Sequence, residues 1–140
     1  MCPHLKKDIA KIEKIQRRAT KMIWNLKNLP YEERLIRCNL TSLETRRRRY
    51  DLIETFKIMK NIYKVNPEKM FKLKESQARG HSLKIFKQHS RLDSRKYFFS
   101  QRVVNDWNKL PKEAINAKNL LSFKSRIDQE FRPGGLYMIQ

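Results

Sequence analysis

The segment TSLETRRRRYDLIETFKIMKNIY, residues 41–63, decides the fold, because it has the clearest helical pattern in the chain. Thr41 and Glu44 have the capping-box arrangement, in which a hydroxyl and a carboxylate three residues later satisfy the first free amides of a helix. Asn66-Pro67 disfavours further helix, so the element should end at about Tyr63. The apolar residues expected on its buried side are Leu43, Tyr50, Ile53, Phe56, Met59 and Ile62.

Four consecutive arginines, Arg46, Arg47, Arg48 and Arg49, lie in the first half of this helix. Helical spacing turns the first two partly inward and the last two outward. Glu44 can pair with Arg48, and Asp51 with Arg47, for about 0.2–0.5 kcal/mol each. Two acids cannot neutralise four guanidiniums, and guanidinium grips phosphate with two parallel hydrogen bonds. The inner pair is therefore expected to organise the fold, and the outer pair to bind nucleic acid.

Other stretches also have the period of a helix. One covers about residues 4–27, and a short helix follows from Pro30 through about Cys38. Another should end at Leu110-Pro111, and a last one should cover about residues 119–131. The apolar residues that define the three longer stretches are Leu5, Ile9, Ile12, Ile15, Ala19, Ile23 and Leu26, then Tyr97, Phe98, Val103, Val104 and Trp107, then Leu120, Leu121, Phe123 and Ile127.

These patterns predict a mostly α fold, a small helical domain of about five helices with a short extended or β insertion around residues 80–90. Arg79-Gly80-His81 indicates a turn at the start of that insertion, and His81 is expected to cap or decorate it. We expect a single domain over residues 1–131 and a flexible tail over 132–140. No stretch approaches the ~20 apolar residues of a membrane span.

The composition indicates a nuclear or cytoplasmic protein that is not secreted. The amino terminus lacks the apolar region of a secretory signal, and two cysteines make no disulfide framework. The 33 Lys and Arg against 14 Asp and Glu give a formal net charge of +19. A nucleic acid is the natural complement, because each neutralised phosphate releases counterions.

We expect RNA or DNA to bind without sequence preference, with no membrane partner and no small-molecule substrate. The basic residues expected to contact it are Arg17, Arg18, Lys21, Arg46, Arg47, Arg48, Arg49, Arg79, Lys84, Arg95, Lys96 and Arg102. Aromatic residues interleaved with Lys and Arg can act as stacking platforms, although at helical spacing they are more often core; these are Trp24, Tyr97, Phe98, Phe99 and Trp107. Two alternatives stay open: solvated basic faces, or an acidic protein partner bound through the first amphipathic helix, for example.

The chain carries no pattern typical of an active site. The five aspartates are far apart, whereas two-metal polymerase sites cluster theirs. The three histidines have no zinc spacing with the cysteines, and the few glycines form no phosphate-binding loop. The sequence therefore predicts no catalytic residue, no metal ligand and no cofactor, and a chain that is not an enzyme on its own.

A set of short motifs follows in order along residues 2–131. They are Glu13 with Lys14-Ile15-Gln16-Arg17-Arg18-Ala19-Thr20-Lys21; Leu29-Pro30-Tyr31-Glu32-Glu33-Arg34-Leu35; Leu40-Thr41-Ser42-Leu43-Glu44 with Arg46-Arg47 and Asp51-Leu52-Ile53; Arg79-Gly80-His81-Ser82; Phe98-Phe99-Ser100-Gln101-Arg102-Val103-Val104; and Trp107-Asn108-Lys109-Leu110-Pro111 with Phe123-Lys124. The ordered set resembles the carboxyl-terminal region of non-LTR retrotransposon reverse transcriptases, and the first motif looks like that family's E-x-x-Q-R-R-A-T segment. The resemblance is strongest to the jockey-like elements.

The resemblance implies a fragment of a longer protein that carries an endonuclease and then an RNA-directed DNA polymerase. The family's catalytic aspartates lie upstream, and no position here matches them. Met1-Cys2-Pro3 looks like an entry into the middle of that protein. The chain is therefore expected to be a thumb-like or post-thumb module that contacts template RNA or target DNA without doing chemistry, or a decayed remnant of such an element.

Overall fold

The computed structural model describes residues 3–75 and 79–131, so the predicted tail over 132–140 lies outside the described residues. The mostly helical fold is confirmed. The α-helices are α1 Lys6–Lys21, α2 Tyr31–Arg37, α3 Leu43–Met59, α4 Asp93–Lys96, α5 Phe99–Arg102, α6 Val104–Lys109, α7 Lys112–Ile115 and α8 Leu120–Glu130, and short 3-10 helices cover Trp24–Leu26 and Pro67–Lys69. The chain forms two compact units, Met1–Arg47 and Arg48–Gln140, so a single domain over 1–131 stays a prediction.

In the first unit, α1 packs through polar side chains rather than through its apolar stripe. The Tyr31 hydroxyl donates to the Glu13 carboxylate and accepts from Gln16 Nε2 at 3.1 Å. Gln16 also donates to the Thr41 carbonyl at 2.9 Å, and the second Glu13 oxygen accepts the Leu43 amide at 2.9 Å. The helix ends at Lys21, short of the predicted residue 27, because Ile23 adopts an extended backbone.

The start of α3 is capped by Ser42 and not by Thr41. Ser42 Oγ accepts the Thr45 amide at 3.1 Å, so the capping box predicted from Thr41 and Glu44 is wrong by one residue. The Leu43 amide, which also lacks a partner within the helix, is satisfied by Glu13 of α1. A tertiary carboxylate thus takes part in the capping, and Glu44 is left exposed.

The end of α3 is a Schellman motif, in which amides beyond the helix fold back onto its last carbonyls. Asn61 has φ 55°, the Ile62 amide donates to the Lys57 carbonyl at 2.9 Å, and the Asn61 amide donates to Ile58 at 3.0 Å. Asparagine tolerates this left-handed backbone better than most residues. The helix therefore ends four residues before the predicted Tyr63.

The core of the second unit lies between α3 and the carboxyl-terminal helices. Phe56 of α3 stacks on Phe123 of α8 with ring centroids 4.1 Å apart, and Trp107 of α6 lies 6.3 Å from Phe123. The predicted buried side of α3 is wrong at Tyr50 and Ile62, which are 57% and 50% exposed. The buried residues of α3 are Leu52, Ile53, Thr55, Phe56 and Ile58.

The predicted extended insertion is held by backbone hydrogen bonds to residues 72–74 on one edge and by α6 on the other. An isolated antiparallel bridge joins Leu73 and Ile85. The Asn108 side chain accepts the Ile85 amide at 2.9 Å and donates to the Ile85 carbonyl at 2.8 Å, imitating a strand partner. The Trp107 indole donates to the Leu83 carbonyl at 2.7 Å. A side-chain amide thus satisfies the edge of this segment that faces away from Leu73, where a further strand would otherwise pair.

His81 is a core residue and not the turn decoration that the sequence suggested. Its side chain is buried, with 2% exposed, and Nε2 lies 3.1 Å from the Trp107 carbonyl, to which it donates in the neutral tautomer protonated there. Burial lowers the pKa of His81, the hydrogen bond to Trp107 opposes that shift, and nearby Lys84 adds to it. The adjacent turn does form, with Gly80 at φ 110°.

Candidate nucleic-acid interface

The outer arginines of the run are held in ion pairs. Arg48 donates through Nε and Nη2 to both oxygens of Asp106, each at 2.9 Å. Arg49 grips Asp128 in the same way at 2.5 and 3.0 Å, and this hydrogen bond is the main cause of the raised pKa of Arg49. The prediction that these two side chains point outward was wrong. Acids far along the chain reach them in the folded unit.

A third pair of the same kind removes the partner that was expected for Arg47. Arg102 of α5 donates to both oxygens of Asp51 at 2.7 and 2.8 Å. Local pairs at i,i+4 contribute little, whereas a bidentate guanidinium–carboxylate pair is geometrically fixed and stronger. The three pairs therefore attach the polar side of α3 to α5, α6 and α8.

Arg46 and Arg47, which helical spacing placed partly inward, lie in the first unit. Both are half-buried, and within the described ranges 3–75 and 79–131 neither has a carboxylate partner. Their guanidinium charges are therefore not neutralised by a neighbouring acid. The ion pairs thus belong to the two arginines that were expected to point outward, and Arg46 and Arg47 are the better candidates for phosphate contact.

The basic residues of α1 divide between structure and surface. The Arg17 guanidinium lies over the Tyr31 ring, 4.4 Å from its centroid, and the Arg17 carbonyl accepts a hydrogen bond from Arg34 at 3.1 Å. Arg18 and Lys21 are exposed in the last turn of the helix. Arg17 is therefore partly occupied within the first unit, while Arg18 and Lys21 face solvent.

The turn at Gly80 brings two further predicted residues together. The Lys84 ammonium donates to the Arg79 carbonyl, and a Cβ at Gly80 would meet the Lys84 side chain at 3.0 Å. Arg79 is exposed and Lys84 is half-buried. The turn thus holds the Lys84 ammonium against the Arg79 backbone.

Two adjoining grooves in the second unit, which we call the Gln88 grooves, share Gln88 and Gln101 in their walls. The larger has a volume of about 860 Å³ and the smaller about 420 Å³. Gln101 Oε1 accepts the Gln88 amide at 3.2 Å, and Arg95 Nη2 donates to Gln88 Oε1 at 3.1 Å. The residues of the larger groove are Glu68, Lys69, Met70, Phe71, Lys72, Leu73, Glu75, Gln88, Arg95, Phe98, Ser100 and Gln101; those of the smaller are Lys87, Gln88, His89, Ser90, Lys96 and Gln101.

Positive charge dominates the Gln88 grooves. Their walls contain five Lys or Arg side chains and one histidine, but only two acids, Glu68 and Glu75. Arg95 and Lys96 were predicted, but Lys69, Lys72, Lys87 and His89 were not, because residues 66–94 have no helical period. A signal was present in that stretch, where lysines alternate with Phe71, Leu73 and Phe86. Neighbouring aromatic and basic residues are typical of single-strand binding surfaces.

The aromatic residues proposed as platforms separate into core and surface. Trp107 is fully buried, and Phe99 packs edge-on to Phe71 with centroids 5.9 Å apart. Phe98 is 59% exposed in the wall of the larger groove, and Trp24 of the first unit is 88% exposed. Phe98 is therefore the aromatic ring of this set that lies among the groove cations.

Carboxylates, histidines and cysteines do not converge in the part of the chain that the structure describes. No three of these side chains lie close enough there to hold a metal ion. Nor does any described helix combine the length and the apolar character needed to cross a membrane.

Four residues of the first two motifs that carry the resemblance to reverse transcriptases have packing roles. Glu13, Gln16 and Tyr31 form the polar contact within the first unit, and Thr20 is buried beside them, donating to the Gln16 carbonyl at 3.0 Å. Comparison with models of protein families, with curated proteins and with solved structures finds no match to this chain.

Proposed function

We propose that this chain is a non-catalytic nucleic-acid-binding module, the carboxyl-terminal region of a jockey-like non-LTR reverse transcriptase. The observation that carries the proposal is that exposed Phe98 lines the larger of the Gln88 grooves together with Lys69, Lys72 and Arg95. The ordered motifs support the family. The module would act where its template RNA or target DNA lies, in the nucleus or the cytoplasm.

The chemistry of the Gln88 grooves suits a single strand better than a duplex. Lys69, Lys72 and Arg95 can neutralise successive phosphates, which releases counterions. Phe98 offers a face on which a base can stack, and such stacking is worth about 1–3 kcal/mol per base. In a duplex the bases are already stacked on each other, so Phe98 would have no free base to contact.

We further propose that the chain performs no chemistry itself. Asp51, Asp106 and Asp128 are each held by an arginine in a two-point ion pair. A carboxylate in such a pair has its oxygens committed to guanidinium. This arrangement supports a structural role for these acids, and mutation of any of them should lower stability.

The test is fluorescence anisotropy with labelled single strands of RNA and DNA and the matching duplexes, over a range of salt concentrations. Replacing Lys69, Lys72 and Arg95 by glutamine should weaken single-strand binding and flatten the salt slope by roughly one unit per lost contact. The matched control removes the same charge at three exposed positions elsewhere in the second unit, Lys112, Lys118 and Arg126.

Equal losses in the two triple variants would show that affinity follows net charge and that the Gln88 grooves are not the site. Phe98→Leu separates stacking from charge, because it should weaken single-strand binding without changing the salt slope. A decayed remnant without function would lack both the cooperative melt by circular dichroism and the site-dependent affinity.

A further inference from the structure

The first helix leaves its apolar stripe open to solvent. Leu5, Ile12, Ile15 and Met22 are 56%, 36%, 69% and 82% exposed, and Ala19 between them is also exposed. The polar residues of α1 face its own unit instead. Contiguous exposed apolar residues of this size are typical of an interaction surface.

The spacing of this stripe is that of a coiled-coil seam. Leu5, Ile12 and Ala19 repeat every seven residues, and Ile15 and Met22 follow three residues after the last two of them. These are the a and d positions of a heptad, the pattern with which one helix packs along another. The first d position holds a polar residue, Asp8, so the apolar part of the seam runs from Ile12 to Met22.

One flank of the seam carries basic residues, and the other flank contacts the rest of the first unit. Lys11 and Arg18 occupy the g positions beside the seam, and both are exposed; the next row outward holds Lys7, Lys14 and Lys21. On the opposite flank, Gln16 is hydrogen-bonded within the first unit. Since charges at g positions select the partner's facing e residues, this seam fits a helix with Glu or Asp there.

We propose that α1 docks an acidic amphipathic helix of a protein partner along this seam, which we call the α1 seam. In an antiparallel pair of two copies, Lys11 and Arg18 would face like charges, which opposes self-pairing. In a parallel pair they would face e positions, where Ile9 and Gln16 of α1 carry no acid, and Gln16 is already hydrogen-bonded within the first unit. Ile15 and Met22 have no counterpart in a phosphate backbone, so nucleic acid does not account for the seam. The proposal is independent of nucleic-acid binding by the Gln88 grooves.

The probe is a synthetic three-heptad peptide with Ile and Leu at a and d and Glu at e and g, titrated calorimetrically into the full chain. Ile15→Gln with Met22→Gln should weaken binding by at least about tenfold, because each apolar side chain loses its burial. Lys11→Glu with Arg18→Glu should weaken it similarly at low salt and less at high salt. The matched control is Ile36→Gln with Leu121→Gln, which removes exposed apolar residues outside the seam and should leave affinity unchanged.

The proposal is overturned if the peptide does not bind, if a scrambled peptide of the same composition binds equally, or if the control variant loses as much as the seam variant. It also fails if the seam variants abolish binding to phosphatidylserine vesicles while peptide affinity is unchanged, which would assign the seam to a lipid surface. Seam-dependent dimerisation without peptide binding would assign it to a second copy. The Ile15→Gln, Met22→Gln variant should keep its salt-dependent affinity for RNA, so failure here is distinguishable from failure of the proposed function.

Discussion

The guanidinium of Arg48 and the carboxylate of Asp106 lie 58 positions apart in sequence and share two hydrogen bonds of 2.9 Å. Their side chains are 25% and 18% exposed, so the pair is partly shielded from water. Together with Arg49–Asp128 and Arg102–Asp51, it makes the polar side of α3 a structural surface. Half of the arginine run therefore stabilises the fold.

Arg48→Ala with Arg49→Ala should lower the free energy of unfolding by about 2–4 kcal/mol, with the larger share from the better shielded Arg48. Each change removes the two hydrogen bonds that a guanidinium donates to an aspartate. Denaturant unfolding followed by circular dichroism measures the loss. In a double-mutant cycle, Asp106→Ala should cost much less once Arg48 is already alanine; strictly additive costs would contradict the pairing.

Arg46→Ala with Arg47→Ala should change nucleic-acid binding rather than stability, because neither side chain has an acidic partner in the described part of the chain. Stability should change by less than about 0.5 kcal/mol per residue. The slope of log K against log salt for RNA binding should flatten by roughly two units, one for each lost phosphate contact. Anisotropy titrations measure the slope, and Lys112→Ala with Lys118→Ala is the control for bulk charge. An unchanged slope would show that the first pair does not touch phosphate.

Tyr31 should make the first unit sensitive to alkali. Burial, helped by the hydrogen bond to Glu13, raises the pKa of Tyr31 from 10.0 to about 12. Because the unfolded chain loses this proton first, the stability it contributes is full below pH 10 and is lost as the pH rises toward 12. Absorbance at the phenolate band should show a component that titrates toward pH 12, and Tyr31→Phe should remove that late component. A late component that survives in Tyr31→Phe would rule out this assignment.

His81 should make the second unit sensitive to acid. Burial lowers the pKa of His81 below its ordinary value of 6.5. The unfolded chain therefore binds the proton first, so stability is full above pH 6.5 and is lost as the pH falls toward the folded-state pKa. The loss has a limiting slope of about 1.4 kcal/mol per pH unit.

Denaturant midpoints between about pH 7.5 and pH 5.5 bracket the ordinary imidazole pKa and measure this slope. In His81→Gln the pH dependence should be flatter, although the variant is less stable at neutral pH. His4 and His89 are exposed and present in both the unsubstituted chain and His81→Gln, so their contribution to the pH dependence of stability cancels in the comparison. Parallel pH profiles for the two proteins would exclude His81 as the source.

The sequence predicted the positions of the helices better than the partners of their side chains. Hydrophobic period located α3, although Asn61 ends it before the residue that Asn66-Pro67 predicted. The predicted last helix agrees with α8, Leu120–Glu130, to within a residue at each end. The cap was displaced to Ser42 because Glu13 satisfies the Leu43 amide from another helix. Local patterns do not contain such tertiary partners.

The sequence predicted that basic residues would form the candidate site, but it did not predict which basic residues line the grooves. Charge indicated phosphate, and Arg95 and Lys96 do line a groove. The pairing of Arg48 and Arg49 could not be predicted, because it depends on aspartates 58 and 79 positions away. Likewise, Lys69 and Lys72 lie in a stretch without a helical period, and its alternation of lysines with Phe71 and Leu73 does not predict that they line the same groove as Phe98.

The contrast between the two tryptophans makes them separate optical reporters for the two units. Trp24 is 88% exposed in the first unit, so its emission should be red-shifted and readily quenched by acrylamide. Trp107 is fully buried in the second, so its emission should be blue-shifted and protected. Unfolding is followed by fluorescence without acrylamide in the unsubstituted chain and in Trp24→Phe. The variant reports Trp107 alone, so the difference between the two curves gives the signal of Trp24. If the Trp24 and Trp107 signals change at the same denaturant concentration, the two units unfold cooperatively. If they change at different concentrations, each midpoint belongs to the unit that contains that tryptophan.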